Sequence, residues 1–174
     1  MARVSVLRLG HRFIRDKRTS THLGLVARAF GADEVIFAGA VDPEVEESLR
    51  KVVELWGGRF SVRSGATWME EIRKWKERGG VVVHLTMYGL PVDEVIPMLR
   101  GRDILVVVGG EKVPGEVFQQ ADFNVAISGQ PHSEIAALAV FLDRLFGGKE
   151  LEKEFEGWRL RVVPSERGKN VVKR

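Results

Sequence analysis

Six short apolar segments recur along the chain, and a segment with apolar residues at helical spacing follows each of them. The segments are Val4–Leu9, Asp33–Ala38, Phe60–Val62, Gly80–Leu85, Ile104–Val108 and Phe123–Ile127. Several are rich in Val and Ile, which is typical of strands buried on both faces of a parallel sheet. Regular alternation of strands and helices predicts an α/β fold with a mostly parallel sheet and helices on both faces.

Helix boundaries are marked by proline, by hydroxyl residues and by glycine. Thr19, Ser20 and Thr21 offer N-caps for a first helix that ends at Gly31. Pro43 opens a second helix, which stops at Gly57-Gly58. Pro131 fits the first turn of a last helix, which runs to Gly147-Gly148.

Small residues follow the last two apolar segments, where a parallel sheet places its ligands. Ile104–Val108 ends at Gly109-Gly110, and Phe123–Ile127 ends at Ser128-Gly129-Gln130-Pro131. Glycines there let the backbone approach a ligand closely. Charged residues, Glu111-Lys112, follow the first of these turns, and polar residues, His132 to Glu134, follow the second. Two interpretations remain open, a small-molecule pocket and ordinary strand-to-helix turns.

Composition excludes several classes of protein. The 174 residues contain no cysteine, and the four histidines show no paired spacing, so neither thiolate chemistry nor a metal site is expected. No apolar run approaches the ~20 residues that span a bilayer, and a cytoplasmic protein without a membrane partner is expected. One domain is the default at this length.

Positive charge is concentrated at the two ends of the chain. Six Lys or Arg against one acidic residue lie between Arg3 and Arg18, and the same ratio holds from Trp158 to Arg174. Basic ends around an acidic middle favour binding to a polyanion, because cations near phosphates release counterions. Solvated termini are the alternative. The residues predicted to grip phosphates are Arg12, Arg15, Lys17 and Arg18 in the first loop, and Arg159, Arg161 and Lys169 in a basic hairpin formed by 158–163 and 170–173.

Familiar nucleotide and hydrolase motifs are missing. Gly109-Gly110-Glu111 lacks the G-x-G-x-x-G spacing, and GGEKVPGE lacks the frame of a phosphate-binding P-loop. Ser133 is not part of a G-x-S-x-G elbow. A nicotinamide dehydrogenase, a P-loop protein and an α/β-hydrolase are therefore disfavoured.

Two long blocks of the sequence resemble a known family. LRLGHRFIRDKRTSTHLGLVARAFGADEV, near the start, and VVVGGEKVPGEVFQQADFNVAISGQPHSEIAALAVFLDRLF, near the end, closely resemble the archaeal tRNA cytidine-56 ribose 2′-O-methyltransferases of the SPOUT superfamily. The resemblance implies a methyltransferase domain over 1–150, with a deep trefoil knot in about 80–146, and a basic extension over 151–174. It also implies an S-adenosylmethionine site in the knot and a homodimer.

The resemblance implies which residues form the site. The residues expected to hold S-adenosylmethionine lie in three strand-end loops: Leu85 and Thr86; Gly109, Gly110, Glu111, Lys112, Val113 and Pro114; Ile127, Ser128, Gly129, Gln130, Pro131, His132, Ser133, Glu134 and Ile135. From the residues alone, Arg28 is a surface side chain beside an apolar helix face. By likeness of ARAFGA to the first SPOUT motif, Arg28 becomes the catalytic candidate, one that clamps a phosphate and stabilises alkoxide charge in the partner subunit's site.

The expected reaction is methyl transfer from S-adenosylmethionine to the ribose 2′-hydroxyl of cytidine-56 in the tRNA T-loop. Two alternatives remain: a SPOUT ribose methyltransferase that acts on another RNA position, and a non-catalytic RNA-binding scaffold. Mapping the modified nucleotide separates the first alternative, and calorimetry with S-adenosylmethionine separates the second.

Overall fold

A six-stranded parallel sheet organises the chain. The structure, a computed structural model, describes residues 2–110 and 112–174. The strands are β1 (Val4–His11), β2 (Glu34–Gly39), β3 (Ser61–Ala66), β4 (Val81–Pro91), β5 (Ile104–Val108) and β6 (Phe123–Ala126), and their order is β3-β2-β1-β5-β4-β6. All five pairings are parallel. The predicted α/β fold is confirmed.

In the residues that the structure describes, six helices connect the strands and cover both faces of the sheet. They are α1 (Lys17–Ala29), α2 (Pro43–Trp56), α3 (Trp68–Glu77), α4 (Val92–Val95), α5 (Gly115–Gln120) and α6 (Glu134–Phe146). Short 3-10 turns follow α4 at Ile96–Met98 and α6 at Lys149–Glu152. None of the helices in the described part of the chain is long and apolar enough to cross a membrane.

Successive strand residues point to opposite faces, and each face has its own core. Val6 and Val106 belong to the cluster under α1, α2 and α6, which includes Leu23, Leu49, Leu138 and Phe141. Leu7 and Val107, one position further along the same strands, belong to the cluster with Ile72, Trp75 and Val117. This period of two explains why near-continuous apolar runs are needed in the central strands.

Several helix boundaries match the sequence and two do not. Pro43 begins α2, with the Asp42 side chain as its cap, and left-handed Gly147 ends α6. The prediction that Thr19, Ser20 or Thr21 caps α1 is wrong, because α1 begins two residues earlier, at Lys17. The prediction for Pro131 is also wrong. The Ser133 hydroxyl caps α6 by accepting a hydrogen bond from the Ile135 amide, and α6 starts at Glu134.

The C-terminal segment, residues 153–174, packs against the ends of α1 and α2. Strands β7 (Leu160–Val163) and β8 (Asn170–Lys173) pair antiparallel. The Gly58 amide donates to the Glu156 carbonyl at 2.8 Å, and the Arg159 amide donates to the Leu55 carbonyl at 2.9 Å. Because helices α1 and α2 run away from the carboxyl edge of the sheet, this segment lies toward the opposite, amino edge.

Candidate active site

The first loop of the site is a four-residue bulge in β4. Leu85 and Leu90 both pair with Val125 of β6, so the residues between them leave the ladder. A Cβ on Gly89 would lie 2.4 Å from the carbonyl carbon of Asn124. Backbone packs on backbone there, and only glycine fits. The bulge places Thr86, Met87 and Tyr88 at the carboxyl edge of the sheet.

The second loop begins at the double glycine after β5, and its two glycines differ in surroundings. A Cβ on Gly109 would lie 2.5 Å from Cγ2 of Val113, whereas a Cβ on Gly110 would meet no atom within 4 Å. Gly109 therefore lets the loop fold back onto Val113, and Gly110 leaves open space beside it. Glu111, which the sequence assigned to the site, lies outside the described residues.

These loops and the start of α6 enclose a cavity of about 690 Å³. This volume is within the range of small-molecule sites, and the position matches the ligand-binding edge of open α/β sheets. The predicted site residues on its wall are Leu85, Thr86, Gly109, Gly110, Lys112, Val113, Ile127, Pro131, His132 and Glu134. Pro114, Ser128, Gly129, Gln130, Ser133 and Ile135 are not on that wall. The Ser128 and Ser133 hydroxyls instead accept hydrogen bonds from the amides of Gln130 and Ile135. These bonds shape the third loop of the site, which joins β6 to α6.

Five further residues line the cavity and were not among the predicted site residues: His84, Met87, Tyr88, Phe118 and Ala137. The His84 ring packs edge-on against Phe118, with 4.8 Å between ring centroids, and Nδ1 lies 2.9 Å from the Asn124 side-chain oxygen. Burial lowers the pKa of His84, although the hydrogen bond to Asn124 acts against that shift. The lowered pKa favours the neutral imidazole. A polar residue at the end of the apolar run GVVVHL was the available signal for His84.

A buried ion-pair chain leads from the cavity to the first loop of the protein. Arg8 is 4% exposed, and its Nε and Nη2 each lie 3.0 Å from Glu134 Oε1. Its Nη1 donates to the Ser20 hydroxyl at 3.2 Å and lies 3.7 Å from Asp16 Oδ2. Asp16 in turn accepts two side-chain hydrogen bonds at 3.0 Å and one backbone hydrogen bond at 2.9 Å from Arg12. The same chain of ion pairs therefore positions both Glu134 on the cavity wall and Asp16 in the loop after β1.

The two carboxylates of this chain have opposite pKa shifts. Burial raises the pKa of Glu134, although Arg8 acts against that shift. The Arg12 side-chain hydrogen bonds lower the pKa of Asp16 to about 2, although burial acts against that shift. Glu134 Oε2 is buried and has no hydrogen-bond partner among the described residues, which is uncommon for a buried polar atom.

A second buried pair continues the network toward α2. His11 Nδ1 lies 2.6 Å from the Ser20 hydroxyl and Nε2 lies 2.9 Å from Asp42 Oδ2. The other Asp42 oxygen accepts from the Val45 amide and so caps α2. Both ring nitrogens of His11 and both carboxylate oxygens of Asp42 therefore have partners, which fixes the end of β1 against α1 and α2.

The structure relocates two of the four basic residues predicted in the first loop. Lys17 and Arg18 belong to the first turn of α1, and Lys17 pairs with Glu44. Arg12 is held by Asp16, while Arg15 is exposed and makes no ion pair among the described residues. The first loop therefore presents Arg12 and Arg15, with Arg18 beside them on the helix.

Arg28 lies at the other edge of the sheet. It is 8% exposed, and its Nη2 donates to the Gly57 carbonyl at 2.7 Å. Its guanidinium carbon is 4.4 Å from the centroid of the Phe155 ring, and burial lowers the pKa of Arg28. One chain does not bring Arg28 to the cavity. These contacts join α1, the end of α2 and the C-terminal segment, and the catalytic role of Arg28 stays a prediction.

Two cations of the C-terminal segment form ion pairs with acidic side chains. Arg159 contacts Glu54 and Arg161 contacts Glu154, both at 2.8 Å. Lys169 is exposed and makes no ion pair among the described residues.

As for metal ligands, residues 2–110 and 112–174 contain no cluster of three His, Asp or Glu side chains, and the predicted absence of a metal remains a prediction.

Comparison with solved structures identifies the fold. The TrmH/SpoU tRNA modifying enzyme of A. aeolicus is 15% identical and superposes with a TM-score of 0.64, over 87% of this chain and 78% of that one. The SpoU methyltransferase AviRb from Streptomyces viridochromogenes, solved in complex with AdoMet, is 17% identical with a TM-score of 0.61, over 84% of this chain and 58% of that one. The fold is thus that of SpoU/TrmH-type RNA methyltransferases.

Sequence comparison gives the family. The sequence-family model described as "tRNA ribose 2'-O-methyltransferase, aTrm56" matches residues 56–172. The tRNA (cytidine(56)-2'-O)-methyltransferase of Methanothrix thermoacetophila is 61% identical over 99% of this chain and 98% of its own. That of Thermococcus kodakarensis is 54% identical over 97% and 96%. The chain belongs to this family of tRNA ribose methyltransferases, and the resemblance predicted from the sequence is confirmed.

Proposed function

We propose that the chain transfers the methyl group of S-adenosylmethionine to the ribose 2′-hydroxyl of cytidine-56 in the T-loop of tRNA. The observation that carries this proposal is family membership over nearly the full length of the named relatives. The cavity at the carboxyl edge supports it independently. The enzyme is expected to act on tRNA in the cytoplasm.

The residues around the cavity fit the methyl donor. Leu85, Val113, Ile127 and Phe118 provide apolar wall for an adenine ring, and Gly110 leaves open space beside the second loop. The free oxygen of Glu134 offers an acceptor for a polar N–H or O–H of the donor. When bound, S-adenosylmethionine supplies an electrophilic methyl group carried on a sulfonium sulfur.

The chain's own residues have to orient the ribose and stabilise charge as the hydroxyl proton leaves. Orientation provides much of the acceleration of such a transfer. A guanidinium stays protonated at neutral pH and acts as a clamp rather than as a base. The sequence predicts Arg28 for this role, acting on the partner's site. Within one chain, Arg15 is exposed in the loop after β1, at the same edge of the sheet as the cavity, whereas Arg28 is buried at the amino edge. Arg15 is therefore a second candidate for the clamp.

The proposal includes a deep trefoil knot in about 80–146 and a homodimer. In support of the knot, β6 pairs with β4 and not with β5, and α6 then returns across the sheet to pack against α1. In support of the dimer, Val162, Val163, Val171 and Val172 of the β7–β8 hairpin are 43–58% exposed. Sedimentation of the purified protein tests the dimer, and a monomer with full activity would contradict it.

The central experiment is methylation of unmodified tRNA with labelled S-adenosylmethionine, followed by nuclease mapping. Label in the ribose of cytidine-56 is the expected result. Label at another nucleotide would favour the alternative of a different RNA position. Absence of both label and calorimetric binding of S-adenosylmethionine would favour the scaffold alternative.

A further inference from the structure

The tip of the first loop exposes two large apolar side chains among cations. Phe13 is 51% exposed and Ile14 is 77% exposed. Arg12 and Arg15 flank them, and Arg18 follows one turn later. Isolated apolar residues on a surface need no explanation, but an aromatic and an aliphatic side chain bracketed by arginines form a patch with a defined chemistry.

The loop holds this tip in an unfavourable backbone conformation. Ile14 has φ 68°, the single positive value for a non-glycine residue in the described part of the chain. A β-branched residue rarely adopts that conformation, which costs on the order of 1–3 kcal/mol and persists where the surroundings enforce it. Such strain is often found at functional sites, and it turns the Ile14 side chain outward here.

The surroundings that enforce the conformation are the buried charges described above. The Arg15 amide donates to the Phe13 carbonyl at 2.8 Å, and the Asp16 amide donates to the Arg12 carbonyl at 3.0 Å. Asp16 is 6% exposed and faces Arg8, which also holds Glu134 on the cavity wall. The tip is therefore a fixed projection, tied by two charged residues to the proposed methyl-donor site.

We propose that Phe13 and Ile14 form an apolar wedge that contacts an unpaired, unstacked base of the tRNA, while the neighbouring arginines bind the flanking phosphates. This inference rests on the proposed function. Proteins recognise RNA sequence mainly at single-stranded loops, where splayed bases stack on aromatic side chains. A strand of phosphates complements the arginines, whereas a protein partner would need an acidic surface.

Binding of unmodified tRNA over a range of salt concentrations tests the wedge. Phe13→Ala is expected to weaken binding ~10-fold at every salt concentration with the salt slope unchanged, because stacking involves no counterion. Arg15→Ala is expected to reduce the slope by about one. Phe13→Trp should bind at least as well as the parent. Met98→Ala, which removes a side chain of similar exposure (49%) on the 3-10 turn after α4, is the matched control.

Three results would overturn the wedge. Phe13→Ala could bind tRNA as tightly as Met98→Ala, or it could dissociate the subunits in sedimentation, in which case the tip is a subunit contact. The third result needs no variant: tRNA with 5-bromouridine in its unpaired loops would fail to photocrosslink to residues 12–15 of the unaltered protein. Nucleotide mapping with the parent protein separates these results from a failure of the proposed function, since the wedge predicts base contact whichever ribose is methylated.

Discussion

The two edges of the sheet both carry arginines and aromatic rings, yet they use them differently. At the carboxyl edge, Arg8 is surrounded by carboxylates beside an open cavity with an unpartnered acceptor. At the amino edge, Arg28 is covered by Phe155, and Arg174 lies 4.2 Å from the centroid of the Trp158 ring. Cations paired with rings fasten one segment to another. Cations paired with buried acids, next to open space, prepare a site.

Replacing Arg8 with Met gives the largest effect expected from this comparison. Glu134 and Asp16 would lose their shared guanidinium, and removing one partner of a buried pair costs about 3–5 kcal/mol. The unfolding midpoint should fall by roughly 10 °C. Calorimetric unfolding measures it. Arg50→Met, which breaks the exposed pair with Glu46, should change the midpoint little. Equal shifts would mean that the network does not organise the carboxyl edge.

Arg28→Ala and Arg15→Ala compare the roles of the amino and carboxyl edges in stability and activity. Arg28→Ala should lower the free energy of unfolding by about 1–3 kcal/mol, through loss of the Gly57 hydrogen bond and the Phe155 stacking, with kcat nearly unchanged. Arg15→Ala should leave stability alone and lower kcat/KM ~10-fold or more. Single-turnover methylation and thermal unfolding measure both. A folded Arg28→Ala protein without activity would support the catalytic role that the sequence predicts for Arg28.

Asp16→Asn should alter the acid limb of the stability curve. Because the pKa of Asp16 falls from 3.8 to about 2 on folding, its contribution is complete above pH ~4 and is lost as the pH falls toward 2. The variant should be about 1–2 kcal/mol less stable at neutral pH, and the difference from the parent should shrink between pH 4 and 2. Unfolding midpoints across that range measure the difference. A gap that stays constant with pH would contradict the assignment.

The smallest expected effects are on the salt dependence of tRNA binding, in the variants Lys169→Ala and Arg161→Ala. Lys169 is unpaired among the described residues, so removing it should reduce the salt slope of tRNA binding by about one if the C-terminal segment contacts RNA. Arg161→Ala should reduce the slope less, because Glu154 already neutralises that cation. Filter binding at several salt concentrations compares them. Slopes equal to the parent's in both variants would confine RNA contact to the carboxyl edge.

The sequence predicted the repeating architecture because burial on both faces leaves a visible pattern. The cavity loops were predictable for the same reason, since glycines end two apolar runs. The Arg8–Glu134 pair was not, because its members lie 126 positions apart in the sequence and periodicity does not identify long-range partners. Phe118 was missed because α5 has only six residues and its inward face gives too few repeats to detect. The role of Arg28 stays a prediction, because it was predicted for the partner subunit's site and a single chain does not show that site.

The strand order has a consequence for synthesis of the protein. β1 emerges early, but one of its flanks pairs with β5, which begins at Ile104. Until that segment leaves the ribosome, the nascent chain exposes a bare central strand with Arg8 uncovered. Chaperone binding to the growing amino-terminal half is therefore expected, and it should end when β5 takes its place.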